Sequence, residues 1–325
     1  MSALIIGASG HLGNAIAREL LARDCAVTAI ARRPTPAANL DGLAVRYAAG
    51  DCEQPDQLDA WIAGHDLVID AAAPYPDALA DAAEIDRQRE RAHRRMTTLI
   101  DAVRRHRARL LFVSSFTTLA DRARGIERLQ RELVRRSHPY FAIKAAMESV
   151  VIEAARAGTP AAVINPTLSL GPWDLKPRQR CFIPRLLAGE APAGIAHLVN
   201  VVDVRDVARV ALGAIEAERW GEPIAVVGHN ISLQALIEWI CELGGAAPPR
   251  FVAPAALGVA AAWWSEAAAG AIGRQAPAPA LAAMLTVMHD AVDPGPAQLD
   301  FGGAPRPLST TLGDAIAWYR AIGYC

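Results

Sequence analysis

Short, continuous apolar runs alternate with longer amphipathic stretches through the first half of the chain. The runs have the length of buried strands and lie at Ala3–Ile6, Ala26–Ala31, Ala44–Ala48, Leu67–Ala71, Leu110–Ser114 and Ala161–Asn165. The main stretches with helical spacing lie at His11–Ala22, Asp77–Arg107 and Pro139–Ala157. Apolar strands separated by helices predict a parallel sheet covered on both faces. Right-handed crossovers then give an α/β fold with a doubly wound sheet.

The pattern becomes less regular after Pro166. Gly171–Pro184 is rich in proline and charge and is predicted to be a loop on the substrate side. Pro277–Pro307 carries many prolines and glycines and has no strong period. Regular elements are predicted around these stretches, namely the strands Val199–Val202 and Ile224–Val227 and the helices Val204–Ala217, Leu233–Leu243 and Thr311–Ala321.

The most apolar stretch of the chain, Pro254–Ile272, is interrupted by Ser265 and Glu266. We therefore interpret it as a buried or surface-lying helix and expect no stable membrane insertion. Trp263 and Trp264 lie in this stretch and are predicted to pack in the core. A hydrophobic pocket or contact with a membrane surface are the alternatives for the two indoles.

The composition indicates a soluble globular protein. Hydrophobic residues make up 52% of the 325 residues, and the formal net charge of −1 gives no reason to expect a nucleic-acid partner. Five dispersed cysteines without a CxxC pair indicate reduced thiols and no metal site. The chain starts without a basic and then apolar leader, so we expect a cytoplasmic protein.

A glycine-rich loop follows the first predicted strand and opens the first predicted helix. Its sequence is Gly7-Ala8-Ser9-Gly10-His11-Leu12-Gly13, a GxxGxxG spacing. Glycines permit a tight turn and a close backbone approach, and the N-terminus of a helix offers unpaired N–H groups to a pyrophosphate. We predict that every residue of this loop except Ala8 contacts a dinucleotide. A tight turn without a ligand is the alternative.

The end of the second strand bears on the choice of cofactor. It carries Arg32 and Arg33 and no acidic residue. An acid there would suit the ribose 2′-hydroxyl of NAD, whereas arginine suits a 2′-phosphate. NADP(H) is therefore favoured and NAD(H) stays open, because two arginines in an arginine-rich chain also suit a solvated strand end. Further cofactor contacts are predicted after the third and fourth strands, at Asp51, Cys52, Ala72 and Ala73.

Tyr140 and Lys144 form a YxxxK pair within the predicted helix Pro139–Ala157. Residues at i and i+4 share one helix face, so the ammonium can lie beside the phenol and favour its ionised form. The chain has only one other lysine, Lys176, which makes a chance match rare. We predict that Tyr140 transfers a proton and that Lys144 tunes it and holds the cofactor ribose.

Ser114 and Ser115 end the predicted strand before this helix. They lie at the carboxyl edge of the sheet, where open α/β sheets bind ligands. We predict that Ser115 orients a substrate oxygen beside Tyr140 and that Ser114 contacts the cofactor. The alternative for both serines is a strand-end or helix-capping role.

The glycine loop, Ser115 and the Tyr140–Lys144 pair together resemble the extended short-chain dehydrogenase/reductases of the NAD-dependent epimerase/dehydratase superfamily. The segment containing Pro166 and Thr167 is similar to the one that contacts the nicotinamide in these enzymes, and Val202–Ala208 is similar to their VxDVA segment. Dihydroflavonol reductases, 3β-hydroxysteroid dehydrogenases and hopanoid-associated sugar epimerases are the most similar branches.

This resemblance implies a Rossmann dinucleotide-binding domain over residues 1–165, with residues 195–230 returning to it. It also implies a smaller α/β substrate-binding domain over residues 166–325, and a homodimer. Trp173, Arg178 and Phe182 lie in the predicted substrate loop and are candidate substrate contacts. A surface loop with one core anchor is the alternative for them.

The chain also departs from the pattern of this superfamily. Asp70 stands where many relatives have His, and Arg91–Arg94 stands where many carry a relay Asn. The main hypothesis is hydride transfer between a nicotinamide and a ketone or secondary alcohol of a small or medium hydrophobic substrate. The alternatives are a nucleotide-sugar epimerase or dehydratase with tightly bound NAD, and a non-catalytic dinucleotide sensor.

Overall fold

The computed structural model describes residues 1–32, 35–72, 76, 80–119, 123–190, 194–271 and 280–325. Two predicted cofactor contacts, Arg33 and Ala73, lie outside the described residues. In the described part, the strands are β1 (Ser2–Ile6), β2 (Ala26–Ala31), β3 (Val45–Ala49), β4 (Leu67–Asp70), β5 (Arg109–Val113), β6 (Ala161–Pro166), β7 (Leu168–Leu170), β8 (Gly194–Ala196), β9 (Leu198–Asp203), β10 (Pro223–Val226), β11 (His229–Ser232) and β12 (Val252–Pro254). The helices are α1 (His11–Leu21), α2 (Pro55–Ile62), α3 (Ala82–Arg105), α4 (Gly125–Ser137), α5 (Pro139–Arg156), α6 (Phe182–Leu187), α7 (Val204–Glu216), α8 (Leu233–Gly244), α9 (Ala255–Ala271), α10 (Ala280–Val287), α11 (Pro296–Gly302) and α12 (Leu308–Ala321).

Seven of these strands form one parallel sheet in the order β3-β2-β1-β4-β5-β6-β10. The direction of winding changes between β1 and β4, which are hydrogen-bonded neighbours although β2 and β3 lie between them in the chain. Ligands of open α/β sheets bind at such a switch point, outside the carboxyl ends of the strands. The predicted doubly wound α/β fold is confirmed.

Helices cover both faces of this sheet. Successive residues of a strand point to opposite faces, and Leu4 and Ile5 of β1 are both fully buried. Ile5 packs with residues of α1 and α7, while Leu4 packs with residues of α3 and α5. Burial on both faces explains why the strands appear in the sequence as continuous apolar runs.

The second half of the chain adds smaller sheets and then rejoins the large one. Strand β9 pairs with β7 and β11, and β8 pairs with β12. Helices α6, α8 and α12 share a separate apolar cluster with β9. Strand β10 lies beside β6 in the large sheet, with Ile224 opposite Ile164. The exact division into a domain over residues 1–165 with 195–230 and one over 166–325 stays a prediction.

The structure differs from the sequence analysis in two irregular regions. Pro277–Pro307 contains the helices α10 and α11, although its sequence has no strong period. The predicted loop Gly171–Pro184 ends inside α6, which begins at Phe182. The helices in both regions are short and lie between prolines and glycines. Each has too few helical turns for a hydrophobic period to appear in the sequence.

Helix α9 occupies the apolar stretch around the tryptophan pair, but its packing was predicted wrongly. Trp263 and Trp264 are 36% and 67% exposed, so neither is packed in the core. Small residues such as Gly258 and Ala262 form the buried side instead. A helix that is apolar all round does not reveal in its sequence which face will pack. Among the described residues, no helix has both the length and the apolar content needed to cross a bilayer.

Candidate active site

The glycine loop forms a tight turn at the switch point of the sheet. Gly7 has a φ of +89°, and the N–H of Gly10 donates to the Gly7 carbonyl at 2.9 Å. A Cβ on Gly13 would lie 2.3 Å from the Gly7 oxygen, and one on Gly7 would lie 3.0 Å from Cβ of Ala72. The loop therefore needs glycine at Gly7 for its backbone conformation and at Gly13 for space.

Replacing Gly13 by Ala is expected to lower the free energy of unfolding by about 1–3 kcal/mol, because the new methyl group meets backbone and not a flexible side chain. It should also weaken dinucleotide binding, because the loop must shift. Chemical denaturation and fluorescence titration would measure both effects. Gly313→Ala is the matched control, since a Cβ there meets nothing within 4 Å in helix α12. Equal stability of the two variants would contradict the prediction.

The start of α1 fits a dinucleotide pyrophosphate. Gly10 precedes the helix in an extended conformation, and no side chain caps the helix N-terminus. The first-turn amides and the helix dipole are therefore available to an anion. His11 is buried and its Nε2 lies 3.0 Å from the Pro172 carbonyl oxygen, so its ring is held by the chain itself. Burial lowers the pKa of His11.

The remaining loop and strand-end residues that were predicted to contact the cofactor lie at or just beyond the carboxyl ends of β1, β2 and β3. The Ser9 carbonyl accepts from Asn39 at 3.0 Å, and Leu12 packs partly buried against the core. Arg32 is exposed just past β2. Asp51 accepts from the Glu53 N–H at 3.0 Å, and Cys52 lies beside the apolar cluster under α3.

Among the described residues, no group of three or more His, Cys, Asp or Glu side chains is placed to hold a metal ion.

Tyr140 and Ser115 are in direct contact. The Tyr140 hydroxyl donates to Ser115 Oγ at 3.1 Å, and both side chains are buried. Helix α5 starts at Pro139, with the His138 ring accepting from the Tyr140 N–H, so Tyr140 lies in the first turn. Ser115 immediately follows β5, and its Oγ also accepts from Thr117 Oγ1 at 3.0 Å. The two predicted catalytic hydroxyls therefore meet at the carboxyl edge of the sheet.

Lys144 lies one turn along α5 from Tyr140 and is held by the end of β5. Its Nζ donates to the carbonyl oxygens of Val113 and Ser114 at 3.1 and 3.4 Å. The side chain is buried. Burial lowers the pKa of Lys144 to about 8, and the carboxylates of Asp70 and Glu148 only partly oppose this effect.

This lowered pKa predicts how stability depends on pH. Between about pH 8 and pH 10.5 the unfolded chain keeps a proton on Lys144 that the folded chain has released. The free energy of unfolding contributed by this group therefore rises with pH across that window, by about 3 kcal/mol at most. Urea titrations of the protein and of Lys144→Met would show the rise as a difference between them.

Lys176→Met provides the matched control for that measurement. Lys176 is the other lysine of the chain, and its side chain is 57% exposed. This variant should keep the pH dependence of the parent protein. The prediction fails if Lys144→Met and Lys176→Met show the same dependence between pH 8 and pH 10.5.

A buried carboxylate that the sequence analysis missed lies behind the two serines. Glu148 Oε2 accepts from Ser114 Oγ, from Thr118 Oγ1 at 2.6 Å and from Asn165 Nδ2 at 2.7 Å. The Asn165 amide also donates to the Ser115 carbonyl at 3.0 Å. This network fixes the turn that carries Ser115. Glu148 could have been found from the sequence, because it lies four residues after Lys144 and therefore on the same face of α5.

A buried ion pair lies at the end of β4. Arg95 of α3 donates to both carboxylate oxygens of Asp70, at 2.8 and 2.9 Å, and the two side chains are 5% and 0% exposed. Burial alone would lower the pKa of Arg95, but the Asp70 carboxylate outweighs it and the pKa is raised. Asp70 also accepts from the Ala72 N–H at 3.2 Å. The pair thus shapes the segment that faces Gly7.

The three candidate substrate contacts of the predicted substrate loop lie in different surroundings. The Trp173 ring stacks under the Arg18 guanidinium at 4.4 Å, on the side of the glycine loop. Arg178 pairs with Glu190. Phe182 packs against the cluster formed by α8 and α12. In the described part of the chain, their hydrogen bonds, ion pairs and ring contacts do not reach Ser115 or Lys144.

Pro166 and Thr167 lie where β6 ends, close to the last strand of the sheet. Pro166 pairs with Val226, and the Thr167 hydroxyl donates to Asn200 Oδ1 at 2.8 Å. Asn200 belongs to β9, so Thr167 joins the large sheet to the second half of the chain. The Thr167 side chain therefore makes a structural contact. That Pro166 and Thr167 contact the cofactor stays a prediction.

The turn after Ser115 is packed against the C-terminal half. Phe116 stacks on His289 with ring centroids 4.0 Å apart. Burial lowers the pKa of His289 to about 3, so the ring is neutral near pH 7. Arg131 of α4 donates to the His289 carbonyl at 3.0 Å and to Asp290 at 2.8 Å. Tyr140, Phe141 and residues of α10 complete one apolar cluster here.

Comparison with known proteins relates the chain to an NAD dependent family. The model of the NAD dependent epimerase/dehydratase family matches residues 3–228. The chain is 26% identical over 331 residues to a putative dihydroflavonol 4-reductase of Synechocystis sp., covering 98% of this chain and 95% of that protein. It is 30% identical over 262 residues to sterol demethylase protein B of Methylococcus capsulatus, covering 78% of each. The crystal structure of gox2253 superposes with a TM-score of 0.78 at 26% identity, covering 99% of both chains.

Proposed function

The chain belongs to the NAD dependent epimerase/dehydratase family, and we propose that it is an NADP(H)-dependent reductase or dehydrogenase acting on a ketone or secondary alcohol. The observation that carries this proposal is the 3.1 Å hydrogen bond between the Tyr140 hydroxyl and Ser115 Oγ, buried at the carboxyl edge of the sheet. The same two hydroxyls can hold one carbonyl oxygen between them. Lys144 follows one turn later on the same helix.

The residues of the chain act on the proton and on the substrate oxygen. A dinucleotide whose pyrophosphate is held by the glycine loop would supply the hydride from its nicotinamide in reduction and accept it in oxidation. During reduction Tyr140 Oη gives its proton to the carbonyl oxygen, and Ser115 Oγ donates a hydrogen bond that holds this oxygen in place. Lys144 follows one turn after Tyr140 on α5, and its ammonium would stabilise the phenolate that remains. The Glu148 network keeps the serine turn rigid.

The surroundings of Tyr140 favour a hydrophobic substrate of small or medium size. Its ring shares a cluster with Phe141, Met284, Val287 and Met288, and Phe116 packs against the same cluster. Apolar lining with a few convergent hydroxyls is typical of small-molecule sites. The names of two relatives, a putative dihydroflavonol 4-reductase and sterol demethylase protein B, both refer to ring-containing compounds.

The proposed preference for NADP(H) rests on the end of β2. Arg32 is exposed there, and no acidic residue follows the strand. An arginine at this position suits a 2′-phosphate. We expect NADPH to be used with a kcat/KM about tenfold or more above that for NADH, and Arg32→Ala to reduce that ratio. Equal use of both cofactors by the parent protein would remove this part of the proposal.

The reaction is tested by following NADPH absorbance with a panel of steroidal, aromatic and aliphatic ketones. Ketone-dependent oxidation of NADPH, lost in Tyr140→Phe, is the expected result. The family description also favours a second candidate, a nucleotide-sugar epimerase or dehydratase. Such an enzyme would carry NAD through purification and interconvert a nucleotide sugar without net oxidation of added NADPH. That outcome would replace the reductase proposal.

A further inference from the structure

Helix α4 is amphipathic, but its apolar face is turned towards solvent. Ile126, Leu129 and Leu133 lie on one face at positions i, i+3 and i+7 and are 86%, 66% and 69% exposed. The other side of the helix carries Arg131, whose side chain is 2% exposed. In a surface helix of a soluble protein the arrangement is normally the reverse, with apolar residues inside and arginine outside.

The rotation of α4 about its axis is fixed by the contacts of its inner side. Arg131 Nη2 donates to Glu127 at 2.8 Å, to the His289 carbonyl at 3.0 Å and to Asp290 at 2.8 Å. Val134 packs in the cluster that contains Tyr140. Turning the leucines inwards would break these buried hydrogen bonds, so the apolar face stays outside.

The charges around this face are complementary to an anionic surface. Residues 124–137 carry five arginines and two glutamates, and Arg124 and Arg136 are exposed, while the exposed Arg128 pairs with Glu132. A helix with an apolar face and flanking arginines suits the interface of a bilayer that contains anionic lipids. A second copy of the chain is less suitable, because a two-fold axis through this face would bring two segments of net positive charge together.

We propose that α4 docks on an anionic lipid bilayer, with Ile126, Leu129 and Leu133 entering the headgroup region. The docking is peripheral and needs no spanning helix. It does not depend on the reaction proposed above. Since α4 lies in the chain between Ser115 and Tyr140 and its inner side packs with Tyr140, a docked molecule holds its candidate active site close to the bilayer.

Vesicle flotation tests the docking. The full-length protein is mixed with vesicles of phosphatidylcholine alone, or of equal parts phosphatidylcholine and phosphatidylglycerol. We expect it to float with the anionic vesicles, and less so at high salt. The double variant Leu129→Gln/Leu133→Gln should reduce the floated fraction about tenfold, because the apolar contact is lost while the arginines stay. Both side chains are exposed, so the fold is expected to survive; circular dichroism would verify this.

Leu243→Gln/Leu299→Gln is the matched control, since these leucines are 41% and 45% exposed on α8 and α11. It should float like the parent protein. The proposal is overturned if the parent protein does not float, or if both double variants float equally. It is also overturned if light scattering without vesicles shows that Leu129→Gln/Leu133→Gln dissociates an oligomer, because the face would then belong to a second copy.

Discussion

Replacing Tyr140 by Phe is expected to lower kcat for ketone reduction by about 10²- to 10⁴-fold, because the proton donor is lost while the ring remains. The phenyl ring keeps the packing against Phe141, whose centroid lies 5.5 Å away, so stability should change little. Dinucleotide affinity should also stay close to that of the parent protein. Steady-state kinetics with the best ketone of the panel and fluorescence titration with NADPH would measure these quantities.

Tyr324→Phe is the control for this experiment. Tyr324 lies near the C-terminus, far along the chain from Ser115 and Tyr140, and its ring stacks on that of Tyr319. The control should retain full activity. Tyr140→Phe with undiminished kcat would rule out Tyr140 as the proton donor. Loss of dinucleotide binding together with activity would instead assign the residue a structural role.

Replacing Arg95 by Met is expected to cost about 3–5 kcal/mol of the free energy of unfolding, because it leaves the Asp70 carboxylate buried without its partner. The change should also weaken dinucleotide binding, since Asp70 holds the Ala72 N–H beside the glycine loop. Urea denaturation and NADPH titration would measure the two effects. The double variant Asp70→Leu/Arg95→Met should recover part of the stability, as the uncompensated charge is gone.

Arg91→Met is the matched control on the same helix. Arg91 pairs with Glu53 at the surface, where its side chain is 67% exposed, so its loss should cost less than about 1 kcal/mol. If Arg95→Met is no more destabilising than Arg91→Met, the buried pair does not have the stabilising role inferred from its geometry.

The large sheet could be predicted from the sequence because its strands are buried on both faces. That burial demands continuous apolar runs, and the ends of β1, β2 and β6 lie within one residue of the prediction. Helix α4 was missed although its pattern is helical. Its arginine-rich sequence does carry Ile126, Leu129 and Leu133 at helical spacing, which indicates a helix but not that this face lies towards solvent.

The residues of the candidate site could be predicted only where they form a motif of neighbouring positions in the sequence. The loop from Gly7 to Gly13 and the pair Tyr140–Lys144 are local motifs, and the fold brings Ser115 from the end of β5 to Tyr140. The pair of Asp70 and Arg95 joins residues far apart in sequence, and nothing in either segment indicated the other. Contacts of this kind depend on how α3 crosses β4, which a single sequence does not specify.

The stacking of Phe116 on His289 also has a consequence for the order of folding. The hydrogen bonds of the glycine loop described above reach no further along the chain than Pro172, whereas the turn carrying Ser115 is packed by His289. During synthesis the N-terminal part can close around its own core long before His289 leaves the ribosome. The candidate active site is therefore among the last parts of the molecule to form. A chain shortened before residue 280 would retain the nucleotide-binding half without a finished catalytic turn.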